Sequence, residues 1–329
     1  MSAPLLEVRD LSVRLHLPHG VLSALEGVDL TLEAGETLCV VGESGCGKSM
    51  LALSLMRLLP RAARLSAERI VFAGTDLSRL TSSRFAAYPG NRIAMIFQDP
   101  MTAFNPVMRF DDQLFEGFLR HGKGTRAEAR DKALHLLERL GVPLPQQRLR
   151  QYPHELSGGL RQRMMIAMAL MCDPELLIAD EPTTALDVTM QVQTLRLLME
   201  LKAELGSGLI LVTHDLGVVS RIADEVAVMY AGRIVERASR GALFAQPRHP
   251  YTIGLMGCVP VPGRAGRLAT IPGAVTAQMG ARPGCGFAAR CRLAEPVCRE
   301  SAPPVQEHGG HSWRCIPEDA PARLAQVPA

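Results

Sequence analysis

The sequence predicts an α/β fold, and three observations support that prediction. Short apolar runs have the length and β-branched content of buried strands, and they occupy residues 37–41, 93–97, 176–181 and 209–213. Segments with helical spacing of apolar residues lie between these runs, and a glycine-rich loop joins the first run to a predicted helix. The chain has 329 residues and 47% hydrophobic content, which allows a large core and predicts two domains.

Two alternating segments precede the first buried run, at residues 6–9 and 28–32. Alternation of apolar and polar residues is typical of strands in a sheet with one solvated face. Pro18, His19 and Gly20 predict a turn between them. We therefore expect strands with a solvated face at the start of the chain.

The glycine-rich loop fits the pattern G-x-x-x-x-G-K-[ST] at every position. It consists of Gly42, Glu43, Ser44, Gly45, Cys46, Gly47, Lys48 and Ser49, which we call the phosphate-binding loop. A predicted strand precedes it, and a predicted helix over residues 50–59 follows it and ends at Pro60. This arrangement aims backbone N–H groups at an anion. Lys48 adds a charge for the β- and γ-phosphates, and Ser49 supplies a hydroxyl for Mg²⁺.

The run at 93–97 ends in an amide, Gln98, before Asp99 and Pro100 break the strand. A polar group at the carboxyl end of a core strand is well placed to reach Mg²⁺ or a water at the γ-phosphate. A simple strand cap is the alternative interpretation. Residues 107–150 then predict a helical insertion, with a helix over 126–140 that Gly141 ends.

A second candidate anion site opens a helix that continues to residue 171. It consists of Ser157, Gly158 and Gly159, and a helix N-terminus can hold a phosphate. One chain rarely needs two such sites for a single nucleotide. We therefore expect this site to serve the nucleotide of a partner.

The last two buried runs end in acidic and imidazole side chains. Asp180 and Glu181 end the run at 176–181, and His214 follows the run at 209–213. Burying two carboxylates is costly without a function or a cation, so Asp180 suits the Mg²⁺ shell. Glu181 can orient or deprotonate an attacking water. A structural role is the alternative for His214.

The C-terminal tail from residue 260 is rich in Pro and Gly and carries four cysteines. Cys285, Cys291, Cys298 and Cys315 have the spacing C-x5-C-x6-C-x16-C, which lacks the close pairs usual in structural zinc sites. Thiols or metal ligation are favoured over disulfides in a cytosolic chain. Cluster, zinc and unligated thiols all remain open on this pattern.

Composition excludes several classes. A net charge of +3 is too small to argue for nucleic acid. No apolar run reaches the length of a membrane span, and the N-terminus lacks the pattern of a secretory signal. We expect a cytosolic protein whose contact with a membrane is peripheral.

Together these motifs resemble those of the ATP-binding cassette (ABC) ATPases. The phosphate-binding loop is similar to their Walker A loop, Gln98 to their Q-loop, and residues 176–181 to their Walker B strand with its catalytic glutamate. Residues 156–160 resemble the LSGGQ signature with Leu160 in place of Gln, Asp187 resembles the D-loop aspartate, and His214 the switch histidine.

The resemblance implies a P-loop NTPase (RecA-like) core with an antiparallel β-subdomain and a helical insertion. It also implies a head-to-tail dimer in which each ATP lies between the Walker A loop of one subunit and the signature of the other. ATP would then be bound by the phosphate-binding loop and Asp187, with Mg²⁺ held by Ser49, Gln98 and Asp180. Glu181, His214 and Gln98 would be the catalytic residues of ATP hydrolysis.

The segments 98–106, 155–169 and 243–252 resemble the oligopeptide/dipeptide importers in particular. That resemblance implies a nucleotide-binding domain over 1–250, with a helical subdomain about 101–172, and a small irregular Cys-rich extension over 251–329. It implies a second, similar ATPase as a heterodimer partner, two permease subunits, an extracytoplasmic binding protein and the cytoplasmic face of the membrane. It also implies a 4Fe–4S cluster on the four tail cysteines.

Two further functions compete with import. A soluble ABC ATPase acting on DNA or the ribosome would usually carry two cassettes or a coiled coil, and this chain has one loop of the Walker A type. The second alternative is a regulatory subunit that does not hydrolyse ATP, and the presence of Glu181 and His214 argues against it.

Overall fold

The computed structural model describes residues 3–183, 188–258, 270–275, 279–280 and 283–317. Its contacts divide the chain into two compact units, each built from several segments. The first unit comprises residues 1–5, 32–36 and 73–211, and the second comprises 6–31, 37–72 and 212–329.

The strands of the described residues are β1 Leu6–Leu17, β2 Gly20–Leu32, β3 Thr37–Val41, β4 Ala63–Ser66, β5 Arg69–Phe72, β6 Thr75–Asp76, β7 Ile93–Ile96, β8 Leu176–Asp180, β9 Gly208–Thr213, β10 Glu225–Tyr230, β11 Arg233–Ser239, β12 Gln306–His308 and β13 His311–Trp313. The α-helices are α1 Lys48–Leu55, α2 Ser82–Phe85, α3 Pro100–Ala103, α4 Phe110–Arg120, α5 Arg126–Arg139, α6 Pro145–Leu149, α7 Gly158–Leu170, α8 Val188–Leu205, α9 Leu216–Ile222, α10 Arg240–Ala245, α11 Pro250–Gly257 and α12 Val297–Glu300.

The first unit holds a parallel strand pair and a group of helices. Strand β8 lies between β7 and β9, and it pairs with β7 in parallel, with Ile93 opposite Leu176. Every residue of both strands is buried, as expected of a parallel sheet covered on both faces. Their carboxyl ends therefore share one edge, which carries Gln98 and Glu181.

Helix α5 shows why the predicted helical insertion forms. Thr125 caps it, and the side chain of Glu128 reaches back to the Thr125 backbone in a capping box. Ala129 and Ala133 are fully buried on the apolar side, and Leu140 is the C-cap. The helix that the sequence predicts over 126–140 is thus present, and its C-terminal end differs from the prediction by one residue.

The second unit holds two sheets. In one, β3 pairs in parallel with β10, β10 pairs with β11 antiparallel, and β13 pairs with both β11 and β12. In the other, β1 pairs antiparallel with β4 through its second half and with β5 through its first half. The mixed sheet places the amino end of the phosphate-binding loop at the end of a fully buried strand, β3.

Helix α1 differs from its prediction at both ends. The predicted span is 50–59, whereas the helix begins at Lys48, so the last two loop residues already belong to its first turn. It ends at a Met56 cap, because Arg57 adopts a left-handed backbone with φ of 53° that a helix cannot continue.

The cysteine cluster prediction is wrong. Among the described residues, no group of three or more His, Cys, Asp or Glu side chains could hold a metal ion, which removes the 4Fe–4S cluster and the zinc alternative and leaves unligated thiols. Cys285, Cys291, Cys298 and Cys315 line one apolar cavity in the second unit, and Cys315 packs with Leu293 and Trp313.

The physical reason is the environment of the thiols. Burial raises the pKa of Cys315 to about 12 and raises the pKa of Cys285, which favours the neutral thiol at both positions. The thiolate is the form that binds metals, whereas a buried thiol packs as a small apolar group. The tail is ordered instead by strand pairing, because Trp313 lies opposite Glu236 of β11.

Within the described ranges, no helix combines the length and the apolar character that crossing a bilayer requires.

A buried histidine makes the stability of the second unit depend on pH. His249 is 1% exposed, and its Nδ1 caps α11 by accepting from the Tyr251 backbone N–H at 3.0 Å. Burial lowers the pKa of His249 to about 4, while the nearby Glu236 carboxylate opposes that shift. The neutral imidazole is therefore the form that the folded state requires.

We expect the free energy of unfolding to fall as the pH drops below the ordinary value of 6.5 for histidine. Because folding lowers the pKa of His249, its stabilising contribution is fully present above pH 6.5 and is lost progressively toward pH 4. The loss of stability amounts to about 2 kcal/mol at pH 5. Urea unfolding at pH 7.5 and pH 5.0 measures this loss of stability. The variant His249→Gln should be less stable at pH 7.5 but lose less between the two pH values; an equal loss in both proteins would contradict this role.

Candidate functional site

The phosphate-binding loop joins β3 to α1 in the second unit, and its shape depends on glycine. Gly42 has φ of 155°, and a Cβ there would lie 2.2 Å from the Met229 carbonyl oxygen. Gly45 and Gly47 have φ of 79° and 111°, values that side chains disfavour. At Gly45 a Cβ would meet nothing within 4 Å, so this part of the loop is open.

Lys48 is the buried cation of the loop, with 5% exposure. Its Nζ donates to the carbonyl oxygens of Gly42 at 2.8 Å and Glu43 at 3.1 Å, and the Cys46 thiol lies 3.9 Å away. The structure gives this ammonium group no carboxylate partner among the described residues. A buried cation that lacks a counter-ion fits an anionic phosphate.

Two C-terminal side chains that the sequence analysis missed hold the second residue of this loop. The Glu43 backbone N–H donates to Tyr251 Oη at 2.8 Å, and the Glu43 carboxylate pairs with Arg290 at 3.0 Å. Tyr251 and Arg290 follow Glu43 by 208 and 247 positions. No local sequence pattern could have found them.

In the first unit, the structure brings Gln98 and Glu181 together. Gln98 is exposed beyond the end of β7, and its Nε2 donates to Glu181 Oε2 at 3.2 Å. Glu181 follows β8 and adopts a left-handed backbone with φ of 44°, a strained conformation for a residue that carries a Cβ. Such strain persists where the surroundings fix the position of one side chain.

Asp180 is the last residue of β8 and is 4% exposed. Both carboxylates therefore lie at the same sheet edge, one buried and one half-buried. Carboxylate and amide oxygens are ligands that Mg²⁺ prefers, so the acidic pair and Gln98 fit a cation of that kind.

The second predicted anion site lies at the start of α7, also in the first unit. Ser157 is the N-cap with φ of −65° and ψ of 160°, and its hydroxyl makes no capping hydrogen bond. A Cβ at Gly158 would meet nothing within 4 Å, and Ser157 and Gly158 are exposed. Gln162, one turn further on, donates to the Pro182 carbonyl just after β8. This helix terminus is open to an anion from outside.

His214 lies in the second unit directly after β9, and it is exposed. The next residue, Asp215, caps α9 by accepting from the backbone N–H groups of Gly217 and Val218 at 2.7 and 3.2 Å. The cap fixes the backbone that carries His214. The prediction for Asp187 falls outside the described residues.

Two protein-family models match the chain. A family model described as "ABC transporter" matches residues 25–184. A second model, described as "Oligopeptide/dipeptide transporter, C-terminal region", matches residues 235–298. The second match begins within β11 and includes α11 and three of the four tail cysteines.

Curated relatives match nearly the whole chain. A probable peptide ABC transporter ATP-binding protein of Sinorhizobium fredii is 51% identical over 94% of this chain and 94% of its own length. The dipeptide transport ATP-binding protein DppD of Bacillus subtilis is 46% identical over 97% of this chain and 96% of its own length.

Solved structures confirm the predicted P-loop NTPase fold. The ATP-binding cassette MJ0796, in a dimeric post-hydrolysis state with ADP and Pi, gives a TM-score of 0.64 at 24% identity, over 71% of this chain and 98% of its own. The cbiO1 protein of Clostridium perfringens gives 0.61 at 28% identity, over 74% of this chain and 92% of its own.

Proposed function

Because the chain belongs to the ATP-binding proteins of peptide ABC transporters, we propose that its ATP hydrolysis powers the import of di- or oligopeptides or of a related small substrate. The observation that carries this proposal is the 46% identity to a dipeptide transport ATP-binding protein along almost the full length of both chains. The match to the C-terminal region of oligopeptide and dipeptide transporters supports it.

In this proposal the residues of the phosphate-binding loop, 42–49, hold the phosphates of ATP. Lys48 would supply the buried charge, and the Ser49 hydroxyl, Gln98 and Asp180 would hold Mg²⁺. When bound, Mg²⁺ would neutralise charge that develops on the β- and γ-phosphate oxygens.

The remaining groups act on water and on the γ-phosphate. Glu181 accepts the proton of the attacking water as a general base. The hydrogen bond that Gln98 donates to Glu181 Oε2 helps to hold the carboxylate in one orientation. His214 would position the γ-phosphate and the water.

The second anion site serves a partner in this proposal. Ser157, Gly158 and Gly159, with Asp187, would contact the nucleotide held by a second ATPase subunit, so that two sites form in a heterodimer. The nucleotide-binding domain would span residues 1–250, with its helical subdomain about 101–172, and the extension 251–329.

The complete importer would add two permease subunits and an extracytoplasmic binding protein, with this chain peripheral on the cytoplasmic face of the membrane. The names of the relatives do not favour the alternative of a soluble ABC ATPase that acts on DNA or the ribosome. Purification from a mild detergent extract distinguishes the two. Co-purification of integral membrane subunits supports import, and their absence together with bound nucleic acid or ribosomes contradicts it.

The shared site predicts that the isolated chain hydrolyses ATP slowly, because the exposed start of α7 must meet a nucleotide held by a partner. We expect the specific activity to rise with protein concentration and to rise further when the assembled transporter is reconstituted. Steady-state phosphate release across a dilution series, with the mass measured by light scattering, tests this. Full activity in a strict monomer, independent of concentration, would contradict the shared site.

A further inference from the structure

Arg290 is a buried arginine of the C-terminal region whose side chain is 7% exposed. Its Nε donates to the Pro272 carbonyl at 2.7 Å, and its Nη2 donates to the carbonyls of Ile271 and Gly273, both at 3.2 Å. Its Nη1 faces both carboxylate oxygens of Glu43, at 3.1 and 3.0 Å. The guanidinium is therefore held in one plane by backbone carbonyls while one end reaches the phosphate-binding loop.

Aromatic rings support the same guanidinium. Tyr230 Oη lies 3.3 Å from Nη1 of Arg290, and the guanidinium carbon lies 5.8 Å from the Tyr230 ring centre and 5.9 Å from that of Phe287. Tyr230, Tyr251 and Phe287 pack on one another with ring centres 4.6 to 5.4 Å apart. The planar fork of arginine suits this setting, whereas a lysine ammonium would provide three donors from a single point.

The contacts of Arg290 hold Glu43, and the backbone of Glu43 in turn positions Lys48. Glu43 is held twice from the C-terminal region, by Arg290 at its carboxylate and by Tyr251 at its N–H group. Its carbonyl oxygen is one of the two that accept from Lys48 Nζ. A shift of Glu43 would therefore move an anchor of the cation that faces the phosphates.

The ion pair between Arg290 and Glu43 also has an electrostatic effect on the loop. An unpaired Glu43 carboxylate within the loop would repel a bound triphosphate, and charges a few ångströms apart interact strongly where water is partly excluded. Arg290 neutralises that carboxylate through Nη1, which lies within hydrogen-bond distance of both carboxylate oxygens, and hydrogen bonds between ionised groups are stronger than neutral ones.

We propose that Arg290 is a positioning residue that holds the phosphate-binding loop through Glu43 and thereby sets the affinity of the loop for ATP. The C-terminal region then acts on the nucleotide site through Glu43. This inference depends on ATP binding at residues 42–49, as in the proposed function.

The test measures the dissociation constant of MgATP for the full-length chain by equilibrium titration. Arg290→Ala should bind MgATP about tenfold more weakly, a change of about 1.4 kcal/mol, and Arg290→Lys should recover little of that loss. In the assembled transporter the KM for ATP should rise while kcat at saturating ATP stays within about twofold of wild type. Arg299→Ala, an exposed arginine of α12, is the matched control and should leave the affinity unchanged.

A double-variant cycle separates this role from a general loss of structure. Glu43→Ala should weaken binding several-fold by itself. In the Arg290→Ala background it should cause no further loss and should recover part of the affinity, because the contact is already broken and the repelling carboxylate is removed. If the two effects multiply, or if Glu43→Ala binds MgATP as tightly as wild type, the proposal is overturned. Glu43→Ala keeps the Arg290 side chain in place, so MgATP binding by this single variant tests the proposal even if Arg290→Ala folds poorly.

The result also separates this inference from the proposed function. Failure of the wild-type chain to bind MgATP at all would count against ATP binding at the loop. Tight binding by wild type and by Arg290→Ala alike would leave the ATPase assignment in place and remove only the role of Arg290.

Discussion

Replacing Lys48 with alanine is expected to abolish detectable binding of MgATP. The ammonium group is 5% exposed and is aimed by two loop carbonyls, so its charge is presented to phosphate with little solvent screening. Alanine removes this charge and with it the attraction to the phosphates. Equilibrium titration with MgATP measures the effect, and phosphate release in the assembled transporter should fall to background.

A matched control uses another lysine. Lys123 is exposed in the first unit, and Lys123→Ala should bind and hydrolyse ATP as the wild type does. Near-normal ATPase activity of Lys48→Ala in the assembled complex would contradict the role given to the phosphate-binding loop.

Replacing Glu181 with glutamine is expected to leave ATP binding intact and to reduce hydrolysis by about 10²–10⁴-fold, the usual contribution of a general base. The amide has the shape of the carboxylate but cannot take the proton of the water. It can still accept from Gln98 Nε2, so the geometry of the pair is kept. Single-turnover phosphate release reports the chemical step, and the variant should accumulate as an ATP-bound closed dimer.

Glu200→Gln provides the control for this change. Glu200 lies on α8 and pairs with Arg196 one turn away, an exposed ion pair that contributes little to stability. Its replacement should leave hydrolysis unchanged. A wild-type rate in Glu181→Gln would show that another group acts as the base.

The buried strands could be predicted from the sequence because burial on both faces leaves a continuous apolar run. The bounds of β3 agree with the predicted residues 37–41, and those of β8 and β9 agree within one residue. Strands β1 and β2 extend well beyond their predicted segments and include further buried residues, Leu11, Val13 and Leu25. In β1 the left-handed Asp10 interrupts the alternation on which the prediction depends. The end of α1 was missed because the left-handed Arg57, and not Pro60, ends the helix.

The polar residues at the strand ends could also be predicted from the sequence, because each one stands at the end of an apolar run. The hydrogen bond between Gln98 and Glu181 follows from the pairing of β7 with β8, which no local pattern specifies. The left-handed backbone of Glu181 carries no sequence signal, because glutamate is not a residue that favours it.

The tail was the least predictable part. Four cysteines in a Pro-rich segment resembled a ligand set, but Cys298 and Cys315 are buried in an apolar environment. The contact of Arg290 with Glu43 joins positions 247 residues apart, and only the folded second unit brings them together.

The most direct test of the central claim is ATP-driven peptide uptake. The chain is reconstituted in proteoliposomes with the permease subunits that co-purify with it, and a labelled dipeptide is presented with the binding protein on the opposite side. Uptake that requires MgATP, and that Glu181→Gln abolishes while Glu200→Gln preserves it, is the result predicted here. Uptake that is independent of ATP, or that is equal with Glu181→Gln, would contradict the assignment of this chain as the ATPase that powers import.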